Sequence, residues 1–209
     1  MGAWTETTLN SMSLESKVGQ LLCVRITRWL PQVKQMLRQG HIGGAYLVRS
    51  DAAAQGPDHS AEFTNELQRL SPLPILFSSG HEGAHCPING ATSLARAMAL
   101  GATGSLENAT LWTQVMARES KAMGIPWIDA PVLDVNVNPT NPIISVRSFS
   151  ERPDMVAAIG AQVARIGQEE RVITTGKHFP GHGDTAVDSH VQTPVVPYGQ
   201  TRLETVEFY

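Results

Sequence analysis

Short apolar runs alternate with longer amphipathic segments along most of this chain, and the alternation restricts the possible folds more than any other feature of the sequence. The apolar runs have the length and composition of buried strands and lie at residues 22–26, 42–48, 74–78, 127–135 and 172–177. Helices are predicted to begin near Ser13, Pro31, Ser60, Ser105 and Pro153, residue types that favour a helix N-terminus. This alternation predicts an α/β fold in which helices cover a parallel sheet.

The composition argues against several classes of protein. Of the 209 residues, 42% are hydrophobic and 17% are charged, and the formal net charge of −3 offers no basic surface for nucleic acid. No run approaches the roughly 20 apolar residues that cross a bilayer, and the N-terminus lacks the basic and apolar regions of a secretory signal. We therefore expect a cytoplasmic protein with no membrane and no nucleic-acid partner.

The cysteines and tryptophans are more simply explained by packing than by chemistry. Cys23 and Cys86 are too few for a disulfide framework or a zinc cluster, and we expect two buried thiols in a reducing compartment. Trp112 and Trp127 could stack on sugars, but they lie in helix and strand patterns. We expect both to be core residues.

Ionisable side chains concentrate in one loop, at residues 177–190, directly after the last predicted strand. Its proline and glycines exclude a helix, and loops after the strands of a parallel barrel lie on the face where active sites form. Asp188 stands two residues before His190, so its carboxylate can hold one ring nitrogen and leave the other to exchange a proton with a substrate. If only Asp188, Ser189 and His190 are considered, the alternative to a functional pair is an exposed loop with incidental hydrogen bonds.

A metal site is a second hypothesis for the same loop. The residue types that zinc or manganese accepts recur in it, at His178, His182, Asp184, Asp188 and His190. A metal-dependent hydrolase would carry a stoichiometric ion, so metal analysis of the purified protein separates the two hypotheses.

Taken together, the residues from Lys177 to His190, which read KHFPGHGDTAVDSH, resemble the signature of glycoside hydrolase family 3, and in particular its β-N-acetylhexosaminidase branch. Further segments resemble the family in the same order, at residues 19–22, 42–44, 97–103, 130–136 and 146–149. The resemblance implies a TIM-type (β/α) barrel. Since the pattern contains about five to six βα units and a closed barrel has eight, we expect one incomplete barrel domain over residues 1–209.

The resemblance also implies an activity and its residues. His190 resembles the acid/base that protonates the leaving glycosidic oxygen, and Asp188 resembles its orienting partner. Lys177, His178 and Arg147 resemble ligands of the sugar. The implied reaction removes terminal non-reducing β-N-acetylglucosamine with retention, without cofactor or metal, from peptidoglycan-recycling fragments or related amino sugars. Three other polar residues of this region are expected to shape the loop rather than touch the sugar: Asp134, His182 and Asp184.

Two positions near the sugar depart from the family's pattern. The family carries Asp-x-Glu-Gly-Gly and a nearby arginine, whereas this chain has Gly80 at the aspartate position and Ile88 at or near the arginine position. Since a hydrogen bond to a charged group contributes roughly 1.5–3 kcal/mol, the loss would weaken sugar binding by several kcal/mol. The polar residues left to compensate are His81, Glu82 and His85.

The second carboxylate of a retaining mechanism is a larger departure. In the family it is an aspartate on a later strand, and no aspartate follows Asp188 in this sequence. We expect either a fragment of a longer enzyme or a catalytically inactive carbohydrate-binding or scaffold homologue. An incomplete barrel exposes strand edges, so we also expect self-association or a partner that covers the open barrel.

Overall fold

The computed structural model describes residues 2–26, 31–48 and 55–207. The helices are α1 (Ala3–Ser11), α2 (Leu14–Gly19), α3 (Pro31–Arg38), α4 (Pro57–Leu70), α5 (Ala97–Ala102), α6 (Leu106–Ala122), α7 (Pro153–Glu169) and α8 (Gln200–Arg202). The strands are β1 (Cys23–Arg25), β2 (Gly44–Leu47), β3 (Leu76–Ser79), β4 (Trp127–Ile128) and β5 (Ile173–Thr174). A 3₁₀ turn, Ser145–Arg147, precedes α7, and a π-helical turn, Leu203–Glu207, follows α8. The contacts divide the chain into two compact units.

The first unit contains α1–α4 and β1–β3. Its strands are parallel and have β2 in the middle, since Gly44 pairs with Cys23 on one side and with Leu76 on the other. Gly43 allows a close approach of two backbone segments, because a Cβ there would lie 2.1 Å from the carbonyl oxygen of Gln20. Buried apolar side chains from strands, helices and loops fill this unit, including Ile26, Leu37, Leu47, Leu67 and Phe77.

The second unit contains α5, α7, α8, most of α6, and the strands β4 and β5. The two strands are parallel, with Trp127 opposite Ile173 and Ile128 opposite Thr174. Buried side chains of the helices and of the β4 segment form one core, which includes Ala109, Trp112, Met116, Ile128, Ala130, Val156, Ile159 and Val163. Gly101 of α5 is required by this packing, since a Cβ there would lie 1.7 Å from the carbonyl oxygen of Phe149.

The strand β4 separates apolar from polar side chains. Ile128 and Ala130 belong to the core under the helices. The segment from Ile128 to Ala130 runs alongside β5, since the N–H of Thr175 donates to the carbonyl oxygens of both residues. Successive side chains of an extended segment alternate between its faces, so Trp127 and Asp129 lie on the opposite face. The Trp127 indole Nε1 donates to Oγ1 of Thr175 over 2.6 Å, so Thr175 shares that face.

Several predicted elements are confirmed in detail. The hydroxyl of Ser13 caps α2 by accepting from the N–H of Ser16 at 3.2 Å. The hydroxyl of Ser105 caps α6 in the same way. Helices α3 and α7 begin at the two predicted prolines, and Trp112 is buried as expected.

Other local predictions are wrong. The helix expected from Ser60 begins earlier, at Pro57, because proline suits the first turn of a helix. Residues 97–102, where neither a helix nor a strand was predicted, form α5. The strand expected over residues 127–135 ends at Ile128, shortly before Pro131, which has no N–H for a ladder.

Two expectations of burial also differ from the structure. Cys86 is buried as expected, but Cys23 is exposed, and the two cysteines form no disulfide. Trp127, expected in the core, is only half-buried. In the described part of the chain, no helix combines the length and apolar character needed to cross a membrane.

Candidate active site

A carboxylate between two cations forms the charged centre of the second unit. Arg147, at the end of the 3₁₀ turn, donates from Nε to Oε2 of Glu82 and from Nη2 to Oε1, each over 2.8 Å. Lys177, three residues beyond β5, places Nζ 2.5 Å from the same Oε1. The side chain of Glu82 is 7% exposed, whereas those of Lys177 and Arg147 are 17% and 26% exposed. The two cations therefore keep part of their surface accessible.

The charge state of Glu82 follows from its partners. Burial by itself would raise the pKa of this carboxyl, because a poorly hydrated anion is disfavoured. The hydrogen bonds from Arg147 and the positive charges of Lys177 and Arg147 outweigh burial and lower the pKa to about 2. Glu82 is thus an anion at neutral pH that orients the two cations. Both of its oxygens are already used in this way.

Asp134 holds the start of the loop that follows Lys177. It is fully buried, its Oδ2 lies 2.6 Å from Nδ1 of His178, and its Oδ1 accepts from the backbone N–H of His182 at 2.7 Å. The predicted contact of Asp134 with the loop backbone is confirmed. Because an ionised carboxylate only accepts hydrogen bonds, the Nδ1 of a neutral His178 carries the proton and its Nε2 is the acceptor.

Asn141 holds a later part of the loop, and the sequence analysis missed it. Its Nδ2 donates to the carbonyl oxygens of His182 and Thr185 at 2.7 and 2.9 Å, while its Oδ1 accepts from the N–H of Ile144 at 2.7 Å. His182 is buried, with Nδ1 2.5 Å from the Thr185 hydroxyl. An asparagine in a proline-rich turn was the available signal for this role.

The remaining loop residue expected to have a shaping role is Asp184, and it pairs with Arg202 of α8 through Oδ2 and Nη2 at 2.7 Å. A cavity of about 290 Å³ lies against this loop, and its lining includes His178, His182 and Leu203. The contacts of Asp134, Asn141 and Arg202 thus hold the loop from three different segments of the chain.

Asp188 and His190 form the predicted pair further along the loop. Oδ1 of Asp188 lies 2.7 Å from Nδ1 of His190 and accepts from its backbone N–H at 2.8 Å. These hydrogen bonds lower the pKa of Asp188, and the charges of His190 and His182 act in the same direction. The side chain of His190 is 76% exposed. Asp188 is therefore ionised at neutral pH and holds Nδ1, which leaves Nε2 for a ligand.

The structure gathers the predicted site residues into two sets. Lys177 and Arg147 meet at Glu82, with His178 next to Lys177 in the chain, and Asp188 pairs with His190. Over the described ranges, no hydrogen bond or ion pair joins these two sets. The catalytic and binding roles of these residues stay predictions.

The hypothesis of a metal site gains no ligand cluster from the structure. Within residues 2–26, 31–48 and 55–207, no three or more His, Cys, Asp or Glu side chains come together in a group that could hold an ion. The proposed ligands instead have the protein partners described above.

The segment around the two departures from the family's pattern offers few donors or acceptors to a sugar. Gly80 has no side chain, and Ile88 is buried at 2% exposure. His81 is also buried, with Nδ1 2.9 Å from the hydroxyl of Ser120, and burial lowers its pKa to about 4. His81 is therefore neutral at neutral pH and inaccessible, whereas His85 is exposed.

Asp129, directly after β4, is an ionisable residue of this region that the sequence analysis did not single out. Burial raises its pKa, the positive charge of Lys177 opposes that increase, and the negative charge of Glu82 adds to it. An acidic residue early in the apolar run at 127–135, which also contains Asp134, was the signal available in the sequence.

A family model, that of the glycosyl hydrolase family 3 N-terminal domain, matches residues 13–209. The chain belongs to this family. A relative from Cellulomonas fimi, named beta-N-acetylglucosaminidase/beta-glucosidase, is 36% identical over 195 residues. The matched region covers 92% of this chain and 34% of that relative, so this chain spans about a third of the relative's length.

Solved structures of family 3 proteins are similar over most of the chain. A β-N-acetylglucosaminidase from Paenibacillus sp. str. FPU-7 has a TM-score of 0.88 and 36% identity, covering 94% of this chain and 38% of its own. NagZ from Neisseria gonorrhoeae, in complex with N-trifluoroacetyl-D-glucosamine, has a TM-score of 0.79 and 29% identity, covering 88% and 56%. The α/β barrel class expected from the sequence of this family 3 chain is confirmed.

Proposed function

We propose that this family 3 chain acts in the removal of terminal non-reducing β-N-acetylglucosamine, with Asp188 and His190 as an acid/base dyad. The observation that carries the proposal is the 2.7 Å contact between Oδ1 of Asp188 and Nδ1 of His190, next to an exposed ring. A glycosidic oxygen needs a proton as it leaves, and an imidazolium whose Nδ1–H is held by a carboxylate can supply it from Nε2 near neutral pH.

Proton transfer is assigned to Nε2 of His190. In the first step Nε2 donates its proton to the leaving oxygen, and in the second it accepts a proton from the attacking water. Asp188 stabilises the imidazolium form, because its carboxylate is ionised and hydrogen-bonded to Nδ1. Retention also requires a nucleophile about 5–5.5 Å from the acid/base group, which the resemblance assigns to an aspartate of a later segment of the family.

Binding of the sugar is assigned to Lys177, His178 and Arg147. Glu82 takes one of the three N–H groups of the Lys177 ammonium and thereby fixes the direction of the side chain. The other N–H groups of Lys177 suit hydroxyl oxygens as charged donors. Because Asp134 holds Nδ1 of His178, its Nε2 can accept a hydrogen bond from a hydroxyl.

The class of substrate is proposed from the relatives. Their names refer to N-acetylglucosamine and hexosamine glycosides and, for the Cellulomonas fimi relative, also to glucosides. The Neisseria gonorrhoeae protein was solved with N-trifluoroacetyl-D-glucosamine. We propose that the substrate of this chain is also an amino-sugar glycoside, and that its natural source is peptidoglycan-recycling fragments in the cytoplasm.

A catalytically inactive carbohydrate-binding or scaffold protein is the second candidate. It is favoured by the absence of a side chain at Gly80 and by the buried, apolar Ile88, since both positions carry charged sugar contacts in the pattern of the family. Both candidates require the same sugar site and differ in turnover.

One pair of measurements on this chain separates them. Release of nitrophenol from p-nitrophenyl β-N-acetylglucosaminide measures hydrolysis, and titration calorimetry with N-acetylglucosamine measures binding. Hydrolysis supports the first candidate, and binding without hydrolysis supports the second. If the chain shows no binding and no hydrolysis, both candidates are contradicted. Size-exclusion chromatography in the same buffers tests the expected association with a second copy, which a monomer at all concentrations would contradict.

A further inference from the structure

Asp129 occupies a position typical of functional residues in α/β barrels, directly beyond the carboxyl end of a parallel strand. Its neighbours Ile128 and Ala130 are buried in the core under the helices, so its own side chain lies on the face of β4 that also carries Trp127. Asp129 is partly exposed, whereas the residues on either side are at most 1% exposed.

The polar surroundings of Asp129 belong to the candidate active site. Lys177 and Glu82 are the charged groups that act on its carboxyl group. Glu82 already has the ammonium group of Lys177 at 2.5 Å, and across the described residues the Asp129 carboxylate has neither a hydrogen bond nor an ion pair. A partly buried carboxylate without a partner is poorly stabilised, since groups removed from water normally gain hydrogen bonds in exchange.

We propose that Asp129 is a substrate-binding residue, whose carboxylate accepts a hydrogen bond from a hydroxyl group of the amino sugar held by Lys177. This proposal rests on the proposed function, because it assigns a further ligand to the same sugar. A carboxylate is an acceptor with four lone-pair sites, and a sugar hydroxyl is a neutral donor. Such a hydroxyl can therefore bind Asp129 without changing the charge balance of Glu82, Arg147 and Lys177.

A purely structural role fits the contacts less well. Carboxylates that stabilise this chain are visibly paired: Glu82 with Arg147, Asp134 with the loop backbone, and Asp184 with Arg202. Among the described residues Asp129 has no such pair, and burial raises its pKa, so its ionised form opposes folding rather than supporting it. Groups that are unfavourable for stability and lie beside a charge at the end of a strand are candidates for function.

The experiment compares N-acetylglucosamine binding by the unaltered chain and by Asp129→Asn, which keeps the shape of the side chain and removes its charge. The control is Asp154→Asn, the same change at an exposed carboxylate at the start of α7 that pairs with Arg152. We expect the dissociation constant, measured by chemical-shift titration, to rise about 10-fold or more in Asp129→Asn, the effect of one charged hydrogen bond, and to stay unchanged in the control.

The outcomes distinguish this inference from the function on which it rests. If the unaltered chain binds the sugar and Asp129→Asn binds it equally well, Asp129 is not a ligand and the proposed function stands. If the unaltered chain does not bind the sugar, the proposed function fails and the assignment of Asp129 fails with it.

A second measurement needs no variant and remains decisive if Asp129→Asn does not fold. The carbon-13 shift of the Asp129 carboxyl group is followed through a pH titration, with and without saturating N-acetylglucosamine. A hydroxyl that donates to the carboxylate favours its ionised form, so we expect the pKa of Asp129 to fall on binding. An identical titration in both samples would overturn the proposal.

Discussion

Glu82 and Arg147, separated by 65 residues in the chain, face each other with two parallel hydrogen bonds of 2.8 Å. This fork-to-fork geometry is the strongest arrangement available to the two groups, and it fixes the guanidinium plane. Lys177 joins the same carboxylate from the segment after β5. One buried anion therefore aligns two of the three proposed sugar ligands, so the integrity of the site depends on a residue that need not touch the sugar.

Substitution of Glu82 by glutamine is expected to destabilise the chain by about 3 kcal/mol, because removal of one partner leaves buried positive charge without compensation. Urea unfolding measures the change. Glu169→Gln is the matched control, since Glu169 forms an exposed pair with Arg165 within α7 and such pairs contribute little. Equal stability of Glu82→Gln and the unaltered chain would contradict the central role assigned to Glu82.

Because of the Glu82 carboxylate, the free energy of unfolding is expected to vary with pH in the acid range. The pKa of Glu82 is lowered from 4.5 to about 2 in the folded chain, so the folded state binds fewer protons than the unfolded state between these values. Its contribution is fully present above pH 4.5 and is lost as the pH falls to about 2. We expect the difference in unfolding free energy between the unaltered chain and Glu82→Gln to shrink over that window. A constant difference from pH 7 to pH 2 would refute this titration.

His81 gives a second pH window at milder acidity. Burial lowers its pKa from 6.5 to about 4, so folding favours the neutral ring and its contribution is lost as the pH falls from 6.5 towards 4. His81→Asn keeps a polar group near Ser120 but does not titrate. Thermal denaturation between pH 7 and pH 4 should therefore show a smaller loss of stability in His81→Asn than in the unaltered chain. Parallel losses would exclude this contribution.

Asp134→Asn is expected to loosen the loop after Lys177. An amide has one acceptor oxygen and cannot serve both Nδ1 of His178 and the N–H of His182, which Asp134 now bonds at 2.6 and 2.7 Å. The unsatisfied group should destabilise the chain by about 1–3 kcal/mol. Hydrogen exchange reports the effect locally, and the amide of His182 should exchange faster while amides of α7 remain protected. Unchanged exchange at His182 would contradict the role of Asp134.

His190→Ala and Asp188→Asn should reduce turnover without reducing stability. His190 is well exposed and Asp188 is partly exposed, and the two side chains bond chiefly to each other, so their loss leaves the core intact. The measurement is the hydrolysis of p-nitrophenyl β-N-acetylglucosaminide by a protein that contains this chain and is active on that substrate. We expect kcat to fall by about 10²–10⁴-fold in His190→Ala, the usual contribution of a general acid/base. Val191→Ala, at the exposed neighbouring residue, is the control, and a kcat of His190→Ala equal to that of the control would remove the assignment.

Local sequence patterns were sufficient for much of the fold. The caps at Ser13 and Ser105, the helices that begin at Pro31 and Pro153, and the pairing of Asp188 with His190 all involve residues within a few positions of each other. Such contacts depend on spacing alone, which the sequence displays. The lengths of the strands were overestimated, because apolar composition marks burial and does not reveal where a hydrogen-bonded ladder stops.

Long-range partners could be identified only in the folded chain. The sequence singled out Arg147, Lys177 and Glu82 one by one, but it did not show that the three side chains meet. Their meeting depends on how β5, the 3₁₀ turn and the segment after β3 are brought together. The same holds for Asn141 at the loop and for the exposed Cys23, since burial is a property of packing rather than of residue type.

By itself, the sequence determined the family, the α/β class and the pairing of Asp188 with His190, because these follow from motifs and periodicities that are contiguous or regularly spaced along the chain. The tertiary structure alone decided that Glu82 serves two cations, that His81 is buried, and that Asp129 has no partner within the described residues. The physical reason is that charge state and availability depend on neighbours in space and on access to water, and neither is encoded at a fixed distance along the chain.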